Sequence, residues 1–186
     1  MRFFTADIFL GCEEKIKSLN RPFGSVIEMD NYITDMWNKT VMPHDTVYIL
    51  GGLGNPEGMR QLHGEKILVL GYQDVEDFNR WVSANNFDND FELNSENYEE
   101  YLRDEFGISR ISFSGRISLK LDNEAIKVVS YEKYRHSTDF NVCGGLENLT
   151  KTLGYGLNVS MDVNNFRPVS DNDLKYYRKK LEELYR

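Results

Sequence analysis

The 186-residue sequence predicts an α/β fold with mixed sheets, a first half of parallel strands followed by a second half of antiparallel ones. Three observations carry this. Apolar runs at residues 3–6, 46–50 and 66–70 alternate with segments of helical periodicity, an order that needs crossovers and therefore parallel pairing. Each run ends in a turn: Asp7-Ile8-Phe9, Gly51-Gly52-Leu53-Gly54 and Gly71-Tyr72-Gln73-Asp74. Such turns gather at one sheet edge, where α/β proteins place their sites. Finally, runs at residues 108–113, 116–121 and 125–130 are separated only by short turns, Ser114-Gly115 and Asp122-Asn123, which predicts an antiparallel meander.

Taken in order, the opening strand leads through a short helix to Ser25, which starts a clear helix. Ser25-Val26-Ile27-Glu28 is a capping box, and Ile27, Met29, Ile33, Met36 and Trp37 follow at helical spacing until Pro43. Residues 75–105 are rich in Asp, Glu and Asn with interleaved aromatics, and predict two short helices around a polar turn at residues 85–90. A last strand at 157–161 precedes Ser170, which caps a terminal helix with Asp173 at its third position and Leu174, Tyr177, Leu181 and Leu184 as its apolar stripe. The chain is read as a single domain, residues 1–186, with 75–107 as a variable helical insertion.

Composition narrows the function classes. Hydrophobic residues at 40% and charged residues at 28% are a globular balance. A net charge of −8 argues against non-specific binding to a nucleic-acid backbone. Cys12 and Cys143 lie far apart without metal-site spacing and read as free thiols in a reducing compartment. The opening apolar run is broken by Asp7, so no secretory signal is expected, nor is any run long enough to span a bilayer. The expected location is the cytoplasm of a bacterial cell, or of the host if the chain is viral. The triplets at Asn38, Asn148 and Asn158 are then chance matches to a glycosylation pattern.

Two stretches carry a family resemblance. One is Phe4-Thr5-Ala6-Asp7, followed by Asn20-Arg21-Pro22-Phe23 and by Asp45-Thr46-Val47-Tyr48-Ile49-Leu50-Gly51. The other is Asn158-Val159 followed by Asp162-Val163-Asn164-Asn165-Phe166-Arg167-Pro168-Val169. In these the chain resembles the small bacterial and phage type of calcineurin-like metallophosphoesterases. The resemblance implies a four-layer α/β/β/α sandwich of the metallophosphoesterase type with mixed sheets. It also implies a pair of divalent metals held by Asp-x-His, Gly-Asp, Gly-Asn-His-Asp/Glu, a lone His and Gly-His-x-His.

Laid on this sequence, the pattern is mostly lost. Asp7 survives but its His partner is Phe9. The bridging Asp falls on Gly52, the Asn and catalytic His of the third motif fall on Tyr72 and Gln73, and Asp74 remains. The lone His falls on Tyr131, and the last motif is placed on Asn141-Val142-Cys143-Gly144, with Val142 and Gly144 in the imidazole positions. One carboxylate cannot hold two dications. The resemblance therefore implies a catalytically inactive pseudoenzyme, with no catalytic residue, metal or cofactor, acting through a protein partner or self-association as inhibitor, scaffold or regulator.

The alternatives are a nucleotide-like ligand in the remodelled pocket, or residual hydrolysis with one metal at Asp7 and Asp74 helped by His136. Phe9, Tyr72 and Tyr131 are expected to converge on the vacated volume, as a plug or else as a stacking site. Phe78, Trp81, Tyr98 and Tyr101 form a candidate partner surface, with an ordinary packed helical hairpin as the competing expectation. Of the remaining histidines, His44 and His63 read as surface and loop residues.

Overall fold

The chain runs β1 (Arg2–Thr5), α1 (Glu13–Ser18), α2 (Val26–Thr40), β2 (Thr46–Ile49), β3 (Glu65–Val69), α3 (Tyr72–Ala84), α4 (Ser95–Phe106), β4 (Ile108–Ser112), β5 (Arg116–Leu121), β6 (Glu124–Ser130), β7 (Phe140–Gly144), β8 (Gly156–Asn158), β9 (Val169–Ser170) and α5 (Asp171–Tyr185). The computed structural model describes residues 1–84, 95–130 and 139–185. The strands form a five-stranded sheet, in the order β4-β3-β2-β1-β9, and a four-stranded sheet, in the order β5-β6-β7-β8.

In the first sheet β1, β2, β3 and β4 are mutually parallel and β9 runs antiparallel to β1. Its central strands are apolar on both faces, as a sheet covered on both sides requires. Phe3, Val47, Ile49 and Leu68 face the helices, where Met29, Ile33 and Trp37 of α2 and Phe106 of α4 complete one core. The alternate residues Phe4, Tyr48, Leu50 and Val69 face the second sheet, against Ile126, Val128, Phe140, Val142 and Leu157. The helix α5 lays Leu174 and Leu181 into this inter-sheet core, beside β1, β8 and β9. On the outer side of β5, Arg116, Ser118 and Lys120 are exposed.

The predicted caps are present. Ser25 Oγ accepts from Glu28 N at 3.2 Å, and Glu28 Oε2 accepts from Gly24 N at 2.8 Å. At α5, Ser170 Oγ accepts from Asp173 N, and Asp173 Oδ2 accepts from Ser170 N at 3.0 Å.

The meander is corrected in part. β5 and β6 are an antiparallel hairpin, but β4 leaves them and pairs in parallel with β3. The helices α3 and α4, the segment read as an insertion, form the crossover that returns the chain beside β3. The sequence pattern also gives no sign of β7, a central strand buried along its whole length with parallel neighbours on both sides, β6 and β8. Its residues Phe-Asn-Val-Cys-Gly carry no alternation because both faces are covered.

Candidate functional site

The turns after β1, β2 and β3 meet at one sheet edge, as parallel pairing dictates. After β1 the chain adopts positive φ at Asp7 (56°) and at Phe9 (55°), which costs about 1–3 kcal/mol at each residue unless the surroundings fix it. Here they do. Asp7 N donates to Gly51 O at 3.1 Å and Phe9 N to Gly52 O at 2.8 Å, lacing the first loop to the second. The buried Arg21 clamps the same loop from below. Its guanidinium donates to Asp7 O (2.6 Å) and Ile8 O (3.0 Å), and bidentately to Asp162 at 2.9 and 2.8 Å. Phe9 and Phe166 lie against it at 5.4 and 5.6 Å. Both motif stretches of the resemblance thus contribute to one buried ion pair, a role that their sequence alone does not disclose.

The two carboxylates expected as remnants of a metal site, Asp7 and Asp74, both accept hydrogen bonds from backbone N–H groups. Asp7 is 2% exposed, and its Oδ2 accepts from Gly145 N at 3.1 Å, from Glu147 N at 3.0 Å and from Ser160 Oγ. Burial pushes its carboxyl up to about 6, against the lowering effect of the Ser160 and Glu147 hydrogen bonds, and the charges of Glu147 and Asp162 push the same way as burial. Ser160 Oγ also lies 2.6 Å from Asn158 Oδ1. A hydroxyl has one hydrogen, so an ionised Asp7 receives it, whereas a protonated Asp7 donates to Ser160 and Ser160 to Asn158. The triad accommodates both states. Asp74, in the first turn of α3, accepts from Gly52 N at 2.7 Å and from Gly71 N at 3.1 Å, tying the second glycine turn to the third.

Gly52, which stands where a bridging Asp is expected, has no space for any side chain. Its φ is 66°, and a Cβ there lies 2.5 Å from Asp7 Cα and 2.7 Å from Asp7 Oδ1. The edge residues do not fit a metal pair: the bridging position is closed by backbone, and Asp7 Oδ2 and both Asp74 oxygens are occupied by N–H or O–H donors. Among the described residues no three His, Cys, Asp or Glu side chains converge as ligands.

The other expected site residues are spread between the edge and the core. Phe9 lines the edge, with Lys15 Nζ 4.1 Å from its ring centre. Tyr72 is 69% exposed and is not among the residues that line the cleft, so it is no plug. Gln73 lines the outer part of the edge cleft beside Asp74 and Asp77. Val142 lies in the inter-sheet core, and Gly144 is packed against Ala6 and Leu50 where the two sheets approach. The residues of this loop that do reach the edge are Gly145 and Glu147, one and three positions beyond Gly144. The expectation that Val142 and Gly144 are edge residues is corrected accordingly: β7 continues to Gly144, and only residues beyond the end of that strand face the cleft. Tyr131, His136 and the side chain of Tyr98 lie outside the described residues.

The expected partner surface is corrected too. Phe78 is buried, and Trp81 and Tyr101 pack partly buried on the helical core. Trp81 and Phe106 rings meet edge to face at 5.2 Å, and Tyr101 and Phe106 at 5.7 Å. This is the interior of the helical hairpin, favoured by aromatic burial. His63 is half-buried, donating its backbone N–H to Asn38 while its carbonyl accepts from Trp37.

What remains at the edge is an open cleft of about 270 Å³ between Asp7, Gly52, Asp74 and Glu147, continuing into a second of about 390 Å³ along α1 and α3; the two share Phe9, Gly52 and Asp74. Among the described residues its charged lining is Asp7, Glu14, Asp74, Asp77 and Glu147 against Lys15 and Arg80. Lys15 pairs with Glu147 at 2.7 Å and Arg80 with Asp77 at 3.1 Å. On the floor, Ser130 Oγ is buried and finds no hydrogen-bond partner among the described residues.

The fold is shared with a solved structure. A protein of unknown function from Aquifex aeolicus, AQ665, superposes with a TM-score of 0.65 over 95% of this chain and 98% of its own, at 16% identity. That likeness establishes the α/β architecture with its two mixed sheets. No protein-family model and no curated protein matches the chain. Among the described residues no helix is long and apolar enough to cross a membrane.

Proposed function

We propose that this protein is a catalytically inactive, metallophosphoesterase-like pseudoenzyme that acts by binding, and that the occupant of its edge cleft is a neutral or cationic group. The observation that carries this is the redirection of Asp7 and Asp74. Both carboxylates hold glycine turns through backbone N–H groups, while the cleft beside them stays open. The four-layer sandwich implied by the resemblance belongs to the same proposal.

The rim formed by the described residues is acidic, which disfavours a phosphate-rich nucleotide and favours an amine, a guanidinium or an uncharged nucleoside. The Ser130 hydroxyl, without a partner among the described residues, stands at the floor as a hydrogen-bonding group, and the ring of Phe9 forms an apolar wall. Such a group is carried either by a free small molecule or by a side chain of a protein partner, as an inhibitor or regulator requires.

A thermal-shift series with nucleosides, polyamines and Lys- or Arg-bearing peptides tests the reading, because a ligand of the native state raises the melting temperature. Saturable stabilisation by a neutral or cationic compound, lost in Ser130→Ala and Phe9→Ala, is the expected result. Stabilisation only by phosphorylated compounds, or turnover of an aryl phosphodiester, contradicts it.

A further inference from the structure

A separate cleft of about 340 Å³ opens between the turn at residues 163–169 and α5, and shares no lining residue with the edge cleft. Its ionisable lining is Lys151, Arg167, Asp173 and Tyr177. Lys151 is held in place: its Nζ donates to Val163 O at 3.0 Å and to Asn164 Oδ1, and sits 5.2 Å from the centre of the Tyr177 ring. Asn164 is fixed in turn, donating to Asn158 O and Ser160 O. An ammonium has three protons, so one is left for a ligand. The Arg167 side chain is exposed and makes no hydrogen bond or ion pair among the described residues. Asp173 Oδ2 is engaged by Ser170 N and Oγ as part of the α5 cap. Two cations therefore face one carboxylate already in use, in a chain whose overall charge is −8.

We propose that this cleft is a binding site for a compact oxyanion, a carboxylate or a phosphoryl group, held by Lys151 and Arg167 with the Tyr177 hydroxyl as a further donor. A pre-oriented ammonium and a planar guanidinium converging on one cleft are the donors that oxyanions select. The volume admits a small organic body beyond the anionic head. Burial holds the Lys151 ammonium down to about 8, with Arg167 acting in the same sense and Asp173 against it. A bound anion raises it again, so affinity falls as pH passes from 7 to 9.

The test is calorimetric titration of the full chain with inorganic phosphate, and separately with malonate, at fixed ionic strength with chloride as the control. Saturable binding is expected with at least one of them; which one binds names the source of the oxyanion. Arg167→Gln is expected to weaken binding about tenfold or more, and Arg167→Glu to abolish it, with the melting temperature of the unliganded protein unchanged. Because Lys151→Met threatens the 163–164 turn, the second readout is the Lys151 ammonium in the wild type, followed by NMR, which titrates at higher pH when the site is filled. Binding is expected to survive Asp7→Asn, which separates failure here from failure of the edge reading. The absence of saturable binding to either anion, or equal affinity in wild type and Arg167→Glu, overturns the proposal.

Discussion

Asn in place of Asp7 is the most informative single change at the edge. Asp7 Oδ2 takes all the hydrogen bonds that reach the carboxyl from Gly145, Glu147 and Ser160, so the Asn carbonyl oxygen can replace it while the amide nitrogen occupies the Oδ1 position. What the substitution removes is the ionisation of a buried group whose pKa is raised from 3.8 to about 6. The sign comes from proton counts. Between those two values the folded protein keeps a proton that the unfolded chain has released, so wild-type stability falls as pH rises through this window. At about 1.4 kcal/mol per pH unit, the loss approaches 3 kcal/mol by pH 7, and it is absent below pH 3.8. Asp7→Asn has no such term. The stability of the variant minus that of the wild type should therefore grow by about 3 kcal/mol between pH 3.8 and pH 7, or about 6–12 °C in melting temperature for a chain of this size. Urea denaturation of both proteins across that range measures it, and taking the difference cancels the other titrating groups. A difference that stays flat, or that shrinks as pH rises, refutes the assignment of Asp7 as a buried carboxyl caging the edge loops.

The remaining predictions rest on the same geometry. Gly52→Asp, which places a carboxylate where the resemblance implies a bridging ligand, should destabilise by about 2–4 kcal/mol through the positive φ and the contact with the Asp7 backbone, and should create no metal affinity; chemical denaturation and metal titration of the variant read both parts. Arg21→Met leaves Asp162 buried without its partner and releases the carbonyls of Asp7 and Ile8, so a loss of about 3–5 kcal/mol is expected at neutral pH. Asp162→Asn in the Arg21→Met background should recover part of it, which a double-mutant cycle resolves. Trp81→Ala should act as a core truncation, lowering stability by about 3–5 kcal/mol in a melting experiment; an unchanged melting temperature with loss of a bound partner would return Trp81 to the surface.

The parts of this architecture that are legible in the sequence are those set by short-range chemistry. The Ser25 and Ser170 caps, the glycine turns after β2 and β3 and the β5–β6 hairpin are each written in a few adjacent residues, and each forms as expected. The features that escape a sequence reading depend on partners distant in the chain. The residues of β7 look like a loop because a strand covered on both faces needs no alternation. The pairing of β4 with β3 is decided by a two-helix crossover rather than by the short turn at its end. At the site, the strand-end pattern correctly gathers Asp7, Gly52 and Asp74 at one edge. The roles of Asp7 and Asp74 as acceptors of backbone N–H groups stay hidden, since the donors at Gly145 and Glu147 lie some 140 residues from Asp7. Expecting Val142 and Gly144 at the edge is an error of strand length, invisible until β7 is known to run to Gly144, with Gly145 and Glu147 beyond it lining the cleft. The aromatic surface fails for another reason: spacing cannot distinguish a buried helical face from an exposed one, and Phe78, Trp81 and Tyr101 lie on the buried one.

The central claim is the proposal that the sheet edge is a hydrogen-bonded frame around an open cleft and holds no metal pair. Calorimetric titration of metal-free protein with Mn²⁺, run beside an assay of aryl phosphodiester hydrolysis, tests it directly. The account predicts no saturable uptake at micromolar metal and no turnover above background, with the melting temperature unmoved by Mn²⁺ or by chelator. Uptake of two equivalents, accompanied by hydrolysis that Asp7→Asn abolishes, would contradict it.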